Sequence, residues 1–105
     1  MSTKKAFPGR LQKASFERKL SVYSVRAKST ALRELKALPF KIQSKTIETI
    51  DNLELNPRPS GCKKLIGTDN RWRIRIGDYR ILYEIDDINR NVVIFRVVHR
   101  KEAYR

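Results

Sequence analysis

Between Arg71 and Arg80 the chain reads Arg-Trp-Arg-Ile-Arg-Ile-Gly-Asp-Tyr-Arg. Four arginines in so short a span suit an anionic ligand, because guanidinium forks match the oxygens of phosphate. The same residue type can also serve phosphoryl chemistry, where preorganised donors aimed at developing charge are each worth about 10²–10³ in rate. Proton transfer needs another kind of group. His99 is the sole histidine and the only side chain here whose ordinary pKa lies near neutrality. It reads either as a catalytic group or as a hydrogen-bonded residue at a strand end.

The elements that position these residues follow from the hydrophobic pattern. Charged and apolar residues alternate with period two up to Gly77-Asp78, the pattern of a half-buried strand entering a two-residue hairpin turn. Counting outward from that turn pairs Ile76 with Tyr79, Arg75 with Arg80, Ile74 with Ile81, Arg73 with Leu82 and Trp72 with Tyr83. One face then carries Trp72, Ile74, Ile76, Tyr79, Ile81 and Tyr83, and the other gathers Arg71, Arg73, Arg75 and Arg80. Like charges facing across strands cost from a few tenths to about 1 kcal/mol per pair, so the cluster points to a ligand that relieves it.

Upstream, Val22 to Val25 suits a first strand. Ser29 or Thr30 can cap a helix with the stripe Leu32, Leu35 and Leu38, which Pro39 ends. A second helix is expected from Lys41, with Ile42, Ile47, Ile50 and Leu53 on one side, ending at Asn56-Pro57. A short segment at Lys63-Lys64-Leu65 precedes the arginine strand, and Tyr79 to Asp86 forms its hairpin partner. After a polar turn through Asn89, Asn91 to His99 is an apolar strand, with His99 in phase with Val93, Phe95 and Val97. The order β-α-α-β-β-β is that of an α+β fold with two helices on one face of a mainly antiparallel sheet, leaving the arginine face free.

The 105 residues fit one domain, and 24 Lys and Arg against 11 Asp and Glu give a formal charge of +13. That balance favours a polyanionic partner, nucleic acid or the ribosome, through counterion release. There is no long apolar run, so no membrane partner is expected. Cys62 is alone, which leaves no disulfide framework or thiolate metal site within the chain and fits a reducing cytoplasm. Residues 1–19 are strongly basic, with Pro8-Gly9 interrupting any early helix, and read as an appendage to a domain at 20–105. Leu11 to Lys19 could form a short helix presenting Phe16, weakly similar to an organelle transit peptide. A mobile basic tail is the alternative.

Taken together, Tyr23-Ser-Val-Arg-Ala, Ala31-Leu-Arg-Glu-Leu-Lys-Ala-Leu, Lys64-Leu-Ile-Gly, Trp72 through Tyr83 and the closing His99-Arg-Lys-Glu-Ala-Tyr resemble the RelE/ParE superfamily of type II toxins. The resemblance spans Tyr23 to Tyr104, and the closing motif is similar to the RelE branch. It implies a ribosome-dependent endoribonuclease that cuts messenger RNA in the A site, using the substrate's own 2′-hydroxyl and needing no metal or cofactor. Arg73 and Arg75 match basic residues at the scissile phosphate, Arg80 matches the arginine of the Tyr-Arg motif, and Arg100 matches a basic residue after the last strand. Tyr104 matches a C-terminal tyrosine that acts in or stacks at the active site, although a tail aromatic packing on the core is an equal reading. As a base Tyr104 would need its pKa lowered by the cations around it.

Lys63, Lys64 and Arg71 are candidate RNA contacts, as are Lys41 and Lys45 on a helix face that such toxins turn to ribosomal RNA. A solvated helix face explains the last two equally well. The implied partners are the ribosome with its messenger and a cognate antitoxin, with operator DNA reached only through the antitoxin complex. Two other functions remain open on the sequence: a non-catalytic gyrase inhibitor of the ParE kind, and a basic RNA-binding protein without cleavage.

Overall fold

A computed structural model describes residues 22–103. In chain order it contains β1 (Ser24–Ala27), α1 (Ser29–Lys36), α2 (Phe40–Asn52), β2 (Lys63–Lys64), β3 (Arg71–Ile76), β4 (Tyr79–Asp86), β5 (Asn91–His99) and a short α3 (Arg100–Ala103). The strands form one sheet in the order β1-β5-β4-β3-β2. Only the β1–β5 pairing is parallel; the other three are antiparallel. This is the expected α+β arrangement. The basic extension at 1–19 and Tyr104 lie outside the described residues.

The core forms where the apolar sheet face meets the helices. Ile74, Ile76, Ile81, Tyr83, Ile85, Val92, Ile94 and Val97 are buried together with Ala31 and Leu53, and Leu38, Ile42 and Ile50 pack against them. Each large apolar side chain taken fully out of water contributes about 1.5–3 kcal/mol. Trp72 joins the same side, partly buried.

The hairpin register agrees residue by residue with the count made from Gly77-Asp78. Gly77 has φ 58°, whereas Asp78 is not among the positive-φ residues. Glycine at the first central position is what a II′ turn requires, and that turn matches the twist of the flanking strands.

The helices differ from expectation in detail. In α1 it is Ala31 that is buried, while Leu32 is 43% exposed. The inward stripe is Ala31, Leu35 and Leu38, spaced i, i+4, i+7. No side chain caps the helix, and Lys28 holds the N-cap position. The reason lies in the sheet: the Lys28 N–H donates to the Ile94 carbonyl at 2.9 Å, so extended backbone continues one residue beyond β1 before the helix turns. β1 itself starts at Ser24, two residues later than expected. Helix α2 starts at Phe40 and stops at Asn52, ahead of Asn56-Pro57. Its buried Thr46 hydroxyl donates to the Ile42 carbonyl at 2.7 Å, so the polar atom is satisfied inside the helix.

In β5 the expected phase is broken. Leu82 pairs with Arg96 but Tyr83 pairs with Ile94, leaving Phe95 as the extra residue of a bulge. Ile81, Tyr83 and Ile85 share a face, so their partners Val97, Ile94 and Val92 share it too. His99 is therefore in phase with Val97, Ile94 and Val92, not with Val93 and Phe95. The bulge is what lets Ile94 and Val97, three residues apart, both point into the core.

One end of the molecule is tied together by polar contacts. The Tyr83 hydroxyl donates to the Pro57 carbonyl at 2.7 Å, and burial pushes its phenol pKa up. Arg58 grips both oxygens of Asp87, at 3.1 and 2.8 Å, and the Tyr23 hydroxyl donates to the same carboxylate at 2.6 Å. These bonds join the start of β1, the α2–β2 loop and the β4–β5 turn.

Candidate functional site

The four arginines of the hairpin do not share one environment. Arg75 is exposed, Arg73 is half-buried, and Arg71 is exposed but engaged. Arg71 Nε lies 3.1 Å from Glu84 Oε2, and its guanidinium stacks 4.7 Å over the Phe95 ring. Both partners are substantially solvated, so the ion pair contributes at most about 1 kcal/mol. Arg80 is only 1% exposed. It lies in the central strand between Arg75 and Val98 in register, and its Nη1 donates to the Tyr79 carbonyl at 3.3 Å. The expectation of a wholly open arginine face is corrected here: Arg80 is buried on that face next to buried Val98, while Leu82 and Glu84 farther along the same strand and face are only half-buried. Glu84 is paired with Arg71, and Asp78 lies beside Arg100.

Sequence spacing alone could not separate Lys63 from Lys64, but the register does. Lys63 pairs with Arg73 and so faces the arginine side, while Lys64 pairs with Trp72 and faces the other. Strand β2 ends with these two residues. Next to it opens a groove of about 460 Å³ lined by Ser60, Gly61, Lys63, Arg73, Ile74 and Arg75. Three of these lining residues are cationic and none is acidic. Such a groove can receive a phosphate among its cations. Ser60 and Gly61 were missed by sequence reasoning; Asn56-Pro-Arg-Pro-Ser-Gly signals only a turn.

At the hairpin tip the chain ends of several elements converge. The Arg100 N–H donates to the Asp78 carbonyl at 2.7 Å, and its Nε lies 4.0 Å from Asp78 Oδ1. A Cβ placed on Gly77 would meet Ile42 Cδ1 at 3.5 Å, which brings the first turn of α2 to the same tip. Lys41 and Lys45 are exposed and four residues apart on that helix, hence on one face of it. They belong to the helical layer and are not gathered with Arg73 and Arg75.

His99 is half-buried. Its ring meets Tyr79 edge to face at 5.3 Å, and its Nδ1 accepts from the Lys101 N–H at 3.3 Å. These contacts are those of a strand-end residue that caps α3. Tyr104 lies outside the described residues.

Comparison with known proteins now bears on the site. A family model described as the ParE toxin of type II toxin-antitoxin system, parDE, matches residues 25–104. Toxin RelG of Mycobacterium tuberculosis is 40% identical over 87 residues, covering 79% of this chain and 97% of its own length. Toxin RelE of the same organism is 34% identical over 84 residues, covering 79% and 87%. Among solved structures, the toxin-antitoxin complex RelBE2 from M. tuberculosis aligns with TM-score 0.65 and 38% identity over 75% of this chain and 99% of the other. The archaeal RelE–RelB complex from Pyrococcus horikoshii aligns with TM-score 0.68 and 28% identity over 75% and 96%. Sequence and fold thus agree across nearly all of the described residues, and the chain belongs to the RelE/ParE superfamily of type II toxins.

Proposed function

We propose that this toxin is an endoribonuclease that cuts messenger RNA on the ribosome, and that Arg73, Arg75 and Lys63 hold the scissile phosphate. The observation that carries this reading is the groove beside β2, where three cations and no carboxylate meet at an open sheet edge. In the reaction the substrate's 2′-hydroxyl gives up its proton and its oxygen bonds to phosphorus, while the 5′-oxygen leaves and takes up a proton, giving a 2′,3′-cyclic phosphate and a 5′-hydroxyl. The protein's share is to align the phosphate and to stabilise the added charge on its oxygens. Arg75 and Arg73 reach into the groove for that purpose, and buried Arg80, opposite Arg75 on the same sheet face, adds positive potential beside them. Arg100, held at the hairpin tip by Asp78, flanks the substrate path. Arg71, Lys64, Lys41 and Lys45 supply weaker, screened attraction to RNA.

Proton transfer falls to Tyr104 or His99 in this scheme. The caging of His99 by Tyr79 and the Lys101 N–H favours Tyr104, whose phenol would act among cations that favour its ionised form. The physiological partner is an antitoxin, as in the RelB complexes formed by the solved neighbours. Its acidic segment would cover the cationic groove, and the complex would reach operator DNA through the antitoxin. The matching family model is described by its ParE members, so gyrase inhibition is the second reading. Expression without antitoxin separates the two. Growth arrest with fragmented messenger and normal plasmid supercoiling supports the nuclease; arrest with intact messenger and lost supercoiling overturns it.

A further inference from the structure

The C-terminal half of β5 has no strand on its outer side among the described residues, because β1 ends at Ala27 opposite Ile94. Donors from two residues there, one backbone N–H and a guanidinium, converge on one carboxylate. Glu34 Oε1 accepts from the Val97 N–H at 2.8 Å, and Glu34 Oε2 accepts from Arg96 Nε at 2.9 Å with Arg96 Nη2 at 2.7 Å. Both donors lie immediately after the bulge residue Phe95. Helix α1 thus replaces the absent strand with a side chain, taking up the edge N–H that would otherwise lack a protein partner.

The placement matters because the chain beyond the bulge returns to the hairpin tip at the end of the arginine strand. Val97, Val98 and His99 follow in register with Ile81, Arg80 and Tyr79, and Arg100 docks on Asp78. A one-residue slip there would pair Arg96 with Ile81 in the core and turn His99 to the other face. We infer that Glu34 is a positioning residue: by clamping the bulge it sets where His99 and Arg100 stand relative to the Arg73–Arg75 groove. The inference rests on the nuclease reading for its effect on rate, but its structural half does not.

The test compares the full chain with Glu34→Ala, Glu34→Asp and Glu34→Gln. Aspartate keeps the charge but is one methylene too short to span both donors, whereas glutamine keeps an acceptor for Val97 at full length. Amide exchange at Val97 and the ring signals of His99 and Tyr79 are read by NMR, and kcat and KM are read from messenger cleavage on ribosomes. The expected result is Val97 exchange at least tenfold faster and kcat about tenfold lower in the alanine and aspartate variants. KM should stay within twofold, and glutamine should restore most of both effects. Should alanine fail to fold, the aspartate and glutamine variants carry the comparison. Wild-type kcat in the folded alanine or aspartate variant, or unchanged Val97 exchange, overturns the inference. If the unmodified chain cuts no messenger, the nuclease reading fails by itself, and Val97 exchange with the His99 signals still decides whether Glu34 clamps the bulge.

Discussion

Two arginines five residues apart in sequence, and opposite each other in the hairpin, have different parts to play. Arg75 is exposed at the groove, and Arg80 is buried in the central strand. Arg75→Ala should therefore lower messenger cleavage by about 10²-fold, the usual cost of one charge-stabilising donor, while leaving the denaturation midpoint nearly unchanged. Arg80→Ala should instead destabilise the fold by about 0.5–3 kcal/mol, through lost packing as much as lost charge, as read by urea denaturation. Equal stability of both variants would contradict this division. Period-two alternation identified the arginine face correctly, yet it carries no information on depth. An alternating charge looks the same on an edge strand and on a central one. Likewise the pair Lys63-Lys64 could be divided only once β2 was seen to pair with Arg73 and Trp72.

Among the elements, the β3–β4 hairpin was the most legible, because Gly77-Asp78 fixes register locally and every pairing follows from it. The phase of β5 was not, since the bulge at Phe95 answers to a long-range demand, the need for Ile94 and Val97 to share one face. Helix α1 was read one residue off because its start is set by the Lys28–Ile94 backbone bond and not by a side-chain cap. Ile94, fully buried where β1, β5 and β4 meet, should be costly to truncate. Ile94→Ala is expected to lose about 2–5 kcal/mol of stability. The clamp joining β1, the α2–β2 loop and the β4–β5 turn makes a pH prediction. Hydrogen bonds from Arg58, then from Tyr23, hold the Asp87 carboxyl down to about 2 from an ordinary 3.8. A depressed carboxylate contributes stability above its ordinary value and loses it as pH falls toward the folded one. The melting temperature should therefore drop between pH 3.8 and 2, and Asp87→Asn should show a smaller drop in that window. An identical profile for both proteins would show that the clamp is not formed in solution.

For the molecule as a whole, a formal charge of +13 should draw the toxin to RNA, and the groove beside β2 is proposed to decide what happens there. These contributions separate with salt. Binding to single-stranded RNA should weaken with a logarithmic slope of about −0.7 per phosphate contact. Lys41→Ala with Lys45→Ala should make that slope shallower without slowing cleavage of bound messenger. Composition alone pointed to a polyanionic partner as an expectation, while the hairpin with the closing His-Arg-Lys-Glu-Ala-Tyr led to the family. What composition could not supply was the groove itself, which depends on where a two-residue strand stops and a loop turns in. The most direct test maps cut sites on messenger bound to translating ribosomes, comparing the unmodified toxin with the Arg73→Ala, Arg75→Ala pair. Discrete cuts at ribosome-occupied codons, each leaving a 5′-hydroxyl on the downstream fragment and lost in the folded double variant, are the predicted result. Intact messenger with the unmodified toxin, or the same cuts at the same rate with the double variant, would contradict it.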